Sequence, residues 1–188
     1  MKTILAYAPS EQQFLPVPPL GIAVLSQYLN EKGIENNTVD LELELWLSLG
    51  NKSSIYASKP LEELDINELP VDRLINCLKD YEIVSFSLMG KRQIPYIVSI
   101  AKKLREANTK LKYVIVGGAF FNKDNAIDII TKWRGIIDFA VVGEGWYPLY
   151  ELITKLKGKE QIFNIPGVAY WNEEEGTQYC NNVQWDGA

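Results

Sequence analysis

The sequence predicts an α/β domain built on a doubly wound parallel five-stranded sheet, and three observations carry that reading. From residue 82 onward, three β-then-α units follow one another without interruption. Their strands, such as Ile83-Val84-Ser85-Phe86 and Tyr113-Val114-Ile115-Val116, are apolar along their length, as a sheet covered by helices on both faces requires. The chain has 188 residues, of which 47% are hydrophobic and 11% aromatic. A chain of that size buries roughly 70% of its unfolded surface, so one core holds it without disulfides or a structural metal.

The elements follow in order. Thr3 to Ala8 is short, apolar and β-capable, and it feeds a loop in which Pro9, Pro16, Pro18 and Pro19 forbid a helix or a central strand. From Leu20 the apolar residues Ile22, Leu25 and Leu29 fall at helical spacing, which predicts a helix over 20–32 closed by Gly33. Glu35 to Asp40 reads as a second strand. Leucines at 41, 45 and 49 stack at i, i+4, so the next segment is read as a helix although leucine also alternates there as in a strand. Residues 50–70 read as an irregular insertion, and Val71 to Lys79 as a helix packing through Leu74, Ile75 and Leu78. The three later units are strand Glu82 to Ser87 with helix Ile94 to Ala107, strand Tyr113 to Val116 with helix Asn125 to Trp133, and strand Phe139 to Val142 with helix Trp146 to Leu156. Beyond them, 167–171 and 178–183 flank a Glu173 to Gly176 turn and predict a small C-terminal β-hairpin. Trp46, Trp133, Trp146 and Trp171 read as core or hairpin anchors, and the charge runs at Lys155 to Lys159 and Glu173 to Glu175 as solvated surface.

Composition removes several function classes. Lys plus Arg number 19 against 24 Asp plus Glu, a net charge of −5, and no basic run is present to neutralise phosphates. Neither nucleic acid nor an anionic membrane is therefore expected as a partner. There is no histidine, which removes the commonest metal ligand and every Ser-His or Cys-His nucleophile. The two cysteines, Cys77 and Cys180, cannot make a four-sulfur site, so no metal-ligating residues are expected and the compartment reads as reducing and cytoplasmic. The apolar run at 3–8 is too short for a signal peptide or a membrane span.

In an open parallel sheet ligands bind beyond the carboxyl ends of the strands, so the candidate residues stand just after each strand. They are the proline-rich loop with Leu15, Pro16 and Val17; Ser87, Leu88 and Met89; Gly117, Gly118, Ala119 and Phe120; and Gly143, Glu144 and Gly145. Gly117-Gly118 permits either a tight turn or close approach of backbone to a flat ligand. The loop at 143–145 opens a helix whose free N–H groups suit an anion or polar ligand edge, and Glu144 equally suits a helix cap. Ser87 can cap locally or touch a ligand. Asp40 ends the second strand where a dinucleotide fold binds ribose, but no Gly-x-Gly-x-x-Gly follows the first strand.

Ser87-Leu88-Met89, followed after 27 residues by Gly117-Gly118, resembles the second half of the cobalamin-binding signature, Ser-x-Leu and then Gly-Gly. The longer series is Pro18 to Leu29, Gly33, Val39-Asp40-Leu41, Val84 to Ser87, Val116-Gly117-Gly118, Asp138 to Gly145 and Ile165 to Tyr170. In order and spacing it resembles the N-terminal domain of cobalamin-dependent radical SAM enzymes. That resemblance implies a three-layer Rossmann-like (flavodoxin-like) domain over 1–160 holding cobalamin at the carboxyl edge of its sheet. It implies Ser87 at the dimethylbenzimidazole, Gly117 and Gly118 making room for the nucleotide tail, the 143–145 loop lining the same cleft, and Leu15 to Leu20 near the corrin face. It further implies that 161–188 are the hairpin and the start of a linker to a radical SAM barrel, the catalytic partner in cis, which would hold the 4Fe-4S cluster and S-adenosylmethionine.

The chain departs from the pattern in ways that shape the expectation. The Asp-x-His-x-x-Gly half is absent, so a bound cobalamin is expected base-off and His-off. The Cys-x-x-x-Cys-x-x-Cys triad is also absent, so these residues alone are expected to be non-catalytic, the module of a methyltransferase or maturase. Met89, Ala119-Phe120 and Trp146 replace residues common in the group, which leaves a degenerate, non-binding scaffold as an alternative. An unrelated flavodoxin-like or receiver module is a further alternative. Against it, Ala6-Tyr7-Ala8 lacks a receiver's acidic residues, and prolines stand where a flavodoxin has a hydroxyl-rich phosphate loop.

Overall fold

The computed structural model describes residues 1–9, 19–49, 63, 65, 67, 69–107, 110–162 and 164–179. The chain runs β1 (Thr3–Tyr7), α1 (Leu20–Glu31), β2 (Asn36–Asp40), α2 (Leu41–Leu49), α3 (Asp72–Leu78) and β3 (Ile83–Ser87). A 3-10 turn (Lys91–Gln93) leads into α4 (Ile94–Ala107), followed by β4 (Tyr113–Gly117), α5 (Lys123–Lys132), β5 (Phe139–Val141), α6 (Trp146–Gly158), β6 (Val168–Asn172) and β7 (Gly176–Tyr179). The segment 41–49 is helical, as its i, i+4 leucines predict. Most of the expected 50–70 insertion lies outside the described residues.

The sheet order is β2-β1-β3-β4-β5-β6-β7. The first five strands are parallel, and β6 and β7 are antiparallel. This corrects the five-stranded expectation: the C-terminal hairpin is not a separate appendage but extends the sheet to seven strands beside β5. Its composition explains why. Ala169 is buried in one core while Val168 and Tyr170 are buried in the other, so β6 needs cover on both sides. The hairpin closes through Asn172, whose Oδ1 accepts from the Glu174 and Glu175 N–H groups at 2.8 and 3.3 Å, and through Gly176 at φ +79°. Strand β7 therefore starts at Gly176, two residues before the expected position.

Alternate residues of each central strand feed two cores. Ile4, Ala6, Val84, Phe86, Val114, Val116 and Ala140 pack with side chains of α2, α3, α4 and α5. Leu5, Ile83, Ile115, Phe139 and Val141 pack with α1 and α6. This period-two alternation, with both faces apolar, is what a sheet sandwiched by helices demands.

Local chemistry sets the ends of elements. Helix α1 stops at a Schellman turn in which Ile34 N–H donates to Leu29 C=O at 2.8 Å and Gly33 N–H to Asn30 C=O at 3.0 Å, with Gly33 at φ +78°. Leu29 and Ile34 are both buried in the same core. Asn122 caps α5 by accepting from Asn125 N–H at 3.0 Å, and Asn125 returns the bond at 2.9 Å, so α5 begins ahead of the expected Asn125. At the amino edge Asp138 Oδ2 accepts from Arg105 and from Val114 N–H, both at 2.6 Å, tying β5 to β4 and α4. Burial pushes the Asp138 pKa above the usual carboxylate value, with Arg105 pulling the other way.

Gly33→Ala is expected to lower stability by about 1–2 kcal/mol, because a Cβ is strained at that positive φ, while Gly33→Asn should lose less. Urea unfolding of both variants checks the order.

Candidate functional site

Three parallel strands end in register, with Tyr7 opposite Ser87 and Ser87 opposite Gly117. The pairing continues past the strands: Ala8 N–H donates to Ser87 C=O at 3.1 Å, Leu88 N–H to Gly117 C=O at 2.7 Å and Phe120 N–H to Leu88 C=O at 3.2 Å. The loop tips are thus an extension of the sheet.

A buried amide locks them. Gln93, 2% exposed, accepts at Oε1 from Met89 N–H at 2.6 Å and from Gly90 N–H at 3.1 Å, and donates through Nε2 to Ala8 C=O. It joins the loop after β3 to the chain leaving β1. Beside it, burial first and then Glu42 and Asp40 push the Tyr7 phenol above its ordinary pKa, opposed by a hydrogen bond with Gln93. Tyr7 is therefore a neutral phenol at physiological pH.

Below this edge a slot opens between the sheet and the α1–α6 pair. Its enclosed space is small, about 40 Å³, and it opens to solvent at its mouth. Leu5, Ser85, Ser87, Ile115, Gly117 and Val141 form the sheet side; Ile22, Leu25 and Leu149 come from the helices, and Gly118 and Gly145 stand at the loops. Among the described residues nothing charged lines it, and the polar side chains that do are the hydroxyls of Ser85 and Ser87. Ser85 Oγ is buried and has no hydrogen-bond partner. The outer wall is fixed by Tyr28 of α1, which meets Trp146 and Tyr150 of α6 edge-on at 6.1 and 6.3 Å between centroids.

Of the residues expected from sequence, Ser87, Gly117, Gly118 and Gly145 line the slot. Leu88 is buried in the core on the other side of the sheet. Met89, Ala119, Gly143 and Glu144 are exposed outside the slot, and Phe120 packs edge-on against Phe121 over the opposite core. Leu15, Pro16 and Val17 lie outside the described residues. Glu144 does not cap α6 but accepts from the Trp146 indole N–H at 2.8 Å. Trp146 and Trp46, read as anchors, are 48% and 45% exposed, whereas Trp133 and Trp171 do pack on the core. Asp40 is engaged in the chain's own structure, accepting from Leu43 N–H at 3.1 Å.

The glycine pair has a different first task from the one expected. A Cβ on Gly118 would stand 2.4 Å from Leu88 O and 2.7 Å from Leu88 N, and its φ is +106°. The space its missing side chain leaves is filled by the protein's own β3 loop. Sequence reasoning missed Ser85, Leu5, Ile22, Leu25, Ile115, Val141 and Leu149, which face the slot from inside elements, and Gln93. The signal for Gln93 was present: Gly90-x-x-Gln93 ahead of an apolar helix is half of a capping box.

Fold and site together describe an open α/β domain with a narrow slot at the carboxyl edge of its sheet, uncharged among the described residues. No protein-family model and no curated protein sequence matches the chain. Solved structures do match in fold. The chain is similar to the radical S-adenosylmethionine methyltransferase TsrM from Kitasatospora setae, solved with cobalamin and a [4Fe-4S] cluster bound, with a TM-score of 0.64 and 18% identity over 100% of this chain and 30% of that one. It is also similar to the cobalamin-dependent S-adenosylmethionine radical enzyme OxsB, solved with aqua-cobalamin and S-adenosylmethionine bound, with a TM-score of 0.67 and 16% identity over 97% of this chain and 22% of that one. At these identities the likeness is one of fold, and this chain spans less than a third of either enzyme. Among the described residues no helix is long and apolar enough to cross a membrane, and no cluster of three or more His, Cys, Asp or Glu could hold a metal ion.

Two variants test this edge. Gln93→Glu is expected to destabilise the fold at pH 7, where a carboxylate would face the Ala8 carbonyl, and to recover as pH falls and the protonated acid regains a donor; urea unfolding at pH 4.5 and 7 reads the difference. Gly118→Ala should cost about 2–4 kcal/mol through its clash and its φ, and Gly117→Ala, which meets Val141 O at 3.3 Å, distinctly less. Thermal unfolding of the pair checks the ranking.

Proposed function

We propose that this chain is the cobalamin-binding module of a cobalamin-dependent radical SAM enzyme, a methyltransferase or maturase. The observation that carries the reading is the slot: an apolar cleft at the carboxyl edge, with a buried hydroxyl still lacking a partner. Its apolar lining suits the lower base of cobalamin, and the macrocycle would lie outside, over the loop tips. The fold shared with the cobalamin-bound TsrM and OxsB structures supports the same reading.

In this proposal Leu5, Ile115 and Val141 support the lower base from the sheet while Ile22, Leu25 and Leu149 cover it from the helices. Ser87 and the backbone at Gly117, Gly118 and Gly145 hold the mouth. The Gln93 clamp keeps the loop tips from splaying. With no histidine in the chain, no imidazole from it displaces the base, and the arm enters base-off and His-off. When bound, cobalamin supplies a cobalt that carries a methyl group. The 4Fe-4S cluster and S-adenosylmethionine belong to a radical SAM domain of a longer protein, since two cysteines cannot hold the cluster. We place the cofactor module at 1–160, with 161–188 leading toward that domain through the hairpin that shares the sheet.

A second reading, a scaffold that keeps the fold and binds no corrin, is favoured by one observation: the room at Gly118 is taken up by the Leu88 backbone. One experiment separates the two. The chain mixed with hydroxocobalamin and passed through gel filtration should elute coloured, near one corrinoid per chain, with a base-off absorption spectrum. A colourless protein peak would support the scaffold.

A further inference from the structure

The inner end of the slot carries a polar group with nothing to bond. Ser85 is 7% exposed and its Oγ is without a partner. In register it stands between Leu5 of β1 and Ile115 of β4, two residues inward from the row of Tyr7, Ser87 and Gly117. At about 3.3 Å per residue that is about 7 Å deeper than Ser87. The side chains facing it across the slot, Ile22, Leu25 and Leu149, are apolar. The strand thus sets a hydroxyl opposite apolar side chains, and its desolvation goes uncompensated unless a ligand or a water supplies the bond.

On the footing that the slot takes the nucleotide arm of a corrinoid, we infer that Ser85 Oγ reads the lower base and favours a purine-type base, with ring nitrogens or an amine on its leading edge, over dimethylbenzimidazole. The base hangs from its ribose by one ring nitrogen, so the edge farthest from that bond enters first. In dimethylbenzimidazole this edge ends in two methyl groups, which leave the hydroxyl orphaned. In adenine it is a pyrimidine ring with nitrogen acceptors and an amine donor. A serine hydroxyl is both donor and acceptor, so it can meet either. A site holding a buried polar group discriminates against the analogue that cannot pair with it. Ser87 stands two residues nearer the mouth, away from the leading edge of an entering base.

The test compares three probes on the full 188-residue chain by equilibrium titration: hydroxocobalamin, the same corrinoid with adenine as lower base, and cobinamide, which lacks the nucleotide arm. The wild-type chain should bind the adenine form about three- to tenfold more tightly than hydroxocobalamin. Ser85→Ala should bring the two within about twofold while leaving cobinamide unchanged. Ser85→Ala should also unfold no earlier than wild type, since it removes a buried hydroxyl with no partner. If both complete corrinoids bind with equal affinity, or if the preference survives Ser85→Ala, the base-reading role is overturned and the cobalamin reading stands. An early-unfolding Ser85→Ala would mean that the hydroxyl is bonded within the protein, which overturns the role as well. If neither complete corrinoid binds the folded wild-type chain, the cobalamin reading falls and takes this inference with it.

Discussion

A single buried amide holds the functional edge together. The chain leaves β1 and β3 at the same level of the sheet, and each exit presents backbone groups that no neighbouring strand can satisfy. Gln93 takes up three of them at once: the Ala8 carbonyl, the Met89 N–H and the Gly90 N–H. Buried polar groups are costly singly and rigidifying when all are paired. The loop after β3 is therefore fixed to the first crossover, and the backbone of that loop in turn accepts from Phe120 N–H. The mouth of the slot inherits its shape from this chain of bonds.

Why a slot exists there follows from side-chain size. On the α1–α6 side, large residues fill the middle of the sheet, and Leu5, Ile115, Phe139 and Val141 pack against Leu149, Leu152 and Ile153. Toward the carboxyl edge β3 contributes the small Ser85 and Ser87 on that side, β4 passes from Ile115 to Gly117, and Gly118 adds no side chain. Small residues on adjacent strands leave a trough, and the two helices roof it. On the other side of the sheet the same stretch carries Phe86, Leu88 and Val116, so that core is solid.

Much of this was legible in the sequence. Apolar runs and helical periodicities located every described strand and helix, and the Ile94 to Ala107 helix was placed at both its ends. The failures share a cause: tertiary partners that local pattern does not name. Gly167 to Trp171 reads as a hairpin arm, yet an exposed hairpin would alternate polar and apolar residues, and this run does not. Its continuity was the mark of a strand buried on both faces. Loop residues drew attention to the site because ligands gather beyond strand ends, but an expectation confined to loops cannot see a trough floored by strand interiors. Ser85 was visible as a polar interruption in Ile83-Val84-Ser85-Phe86. Which face it occupied depended on its pairing with Leu5 and Ile115, and no single-strand pattern reveals that. Trp146 misled for the complementary reason, since its bulk suggested a core position while its indole instead spans Glu144 and Tyr28 at the surface.

Among the described residues the slot carries no charge, and that limits what its lining can do. A cleft without ionic groups or imidazole cannot activate a nucleophile, move a proton near neutrality or hold a bare metal ion. A guest in such a cleft would be held by taking its apolar surface out of water and by a few hydrogen bonds, terms that set affinity and orientation and leave its reactive centre untouched. A guest held that way by one arm would present its other end past the loop tips, beyond the Ser87–Gly117 row, where Met89 and Ala119 are exposed. On the proposed reading the arrangement is that of a holder: it would fix the position and aspect of a cofactor and leave the chemistry to whatever faces the open edge. That division also accounts for the economy of the site, in which one clamp, two hydroxyls and a pair of glycines suffice because the sheet supplies the rigidity.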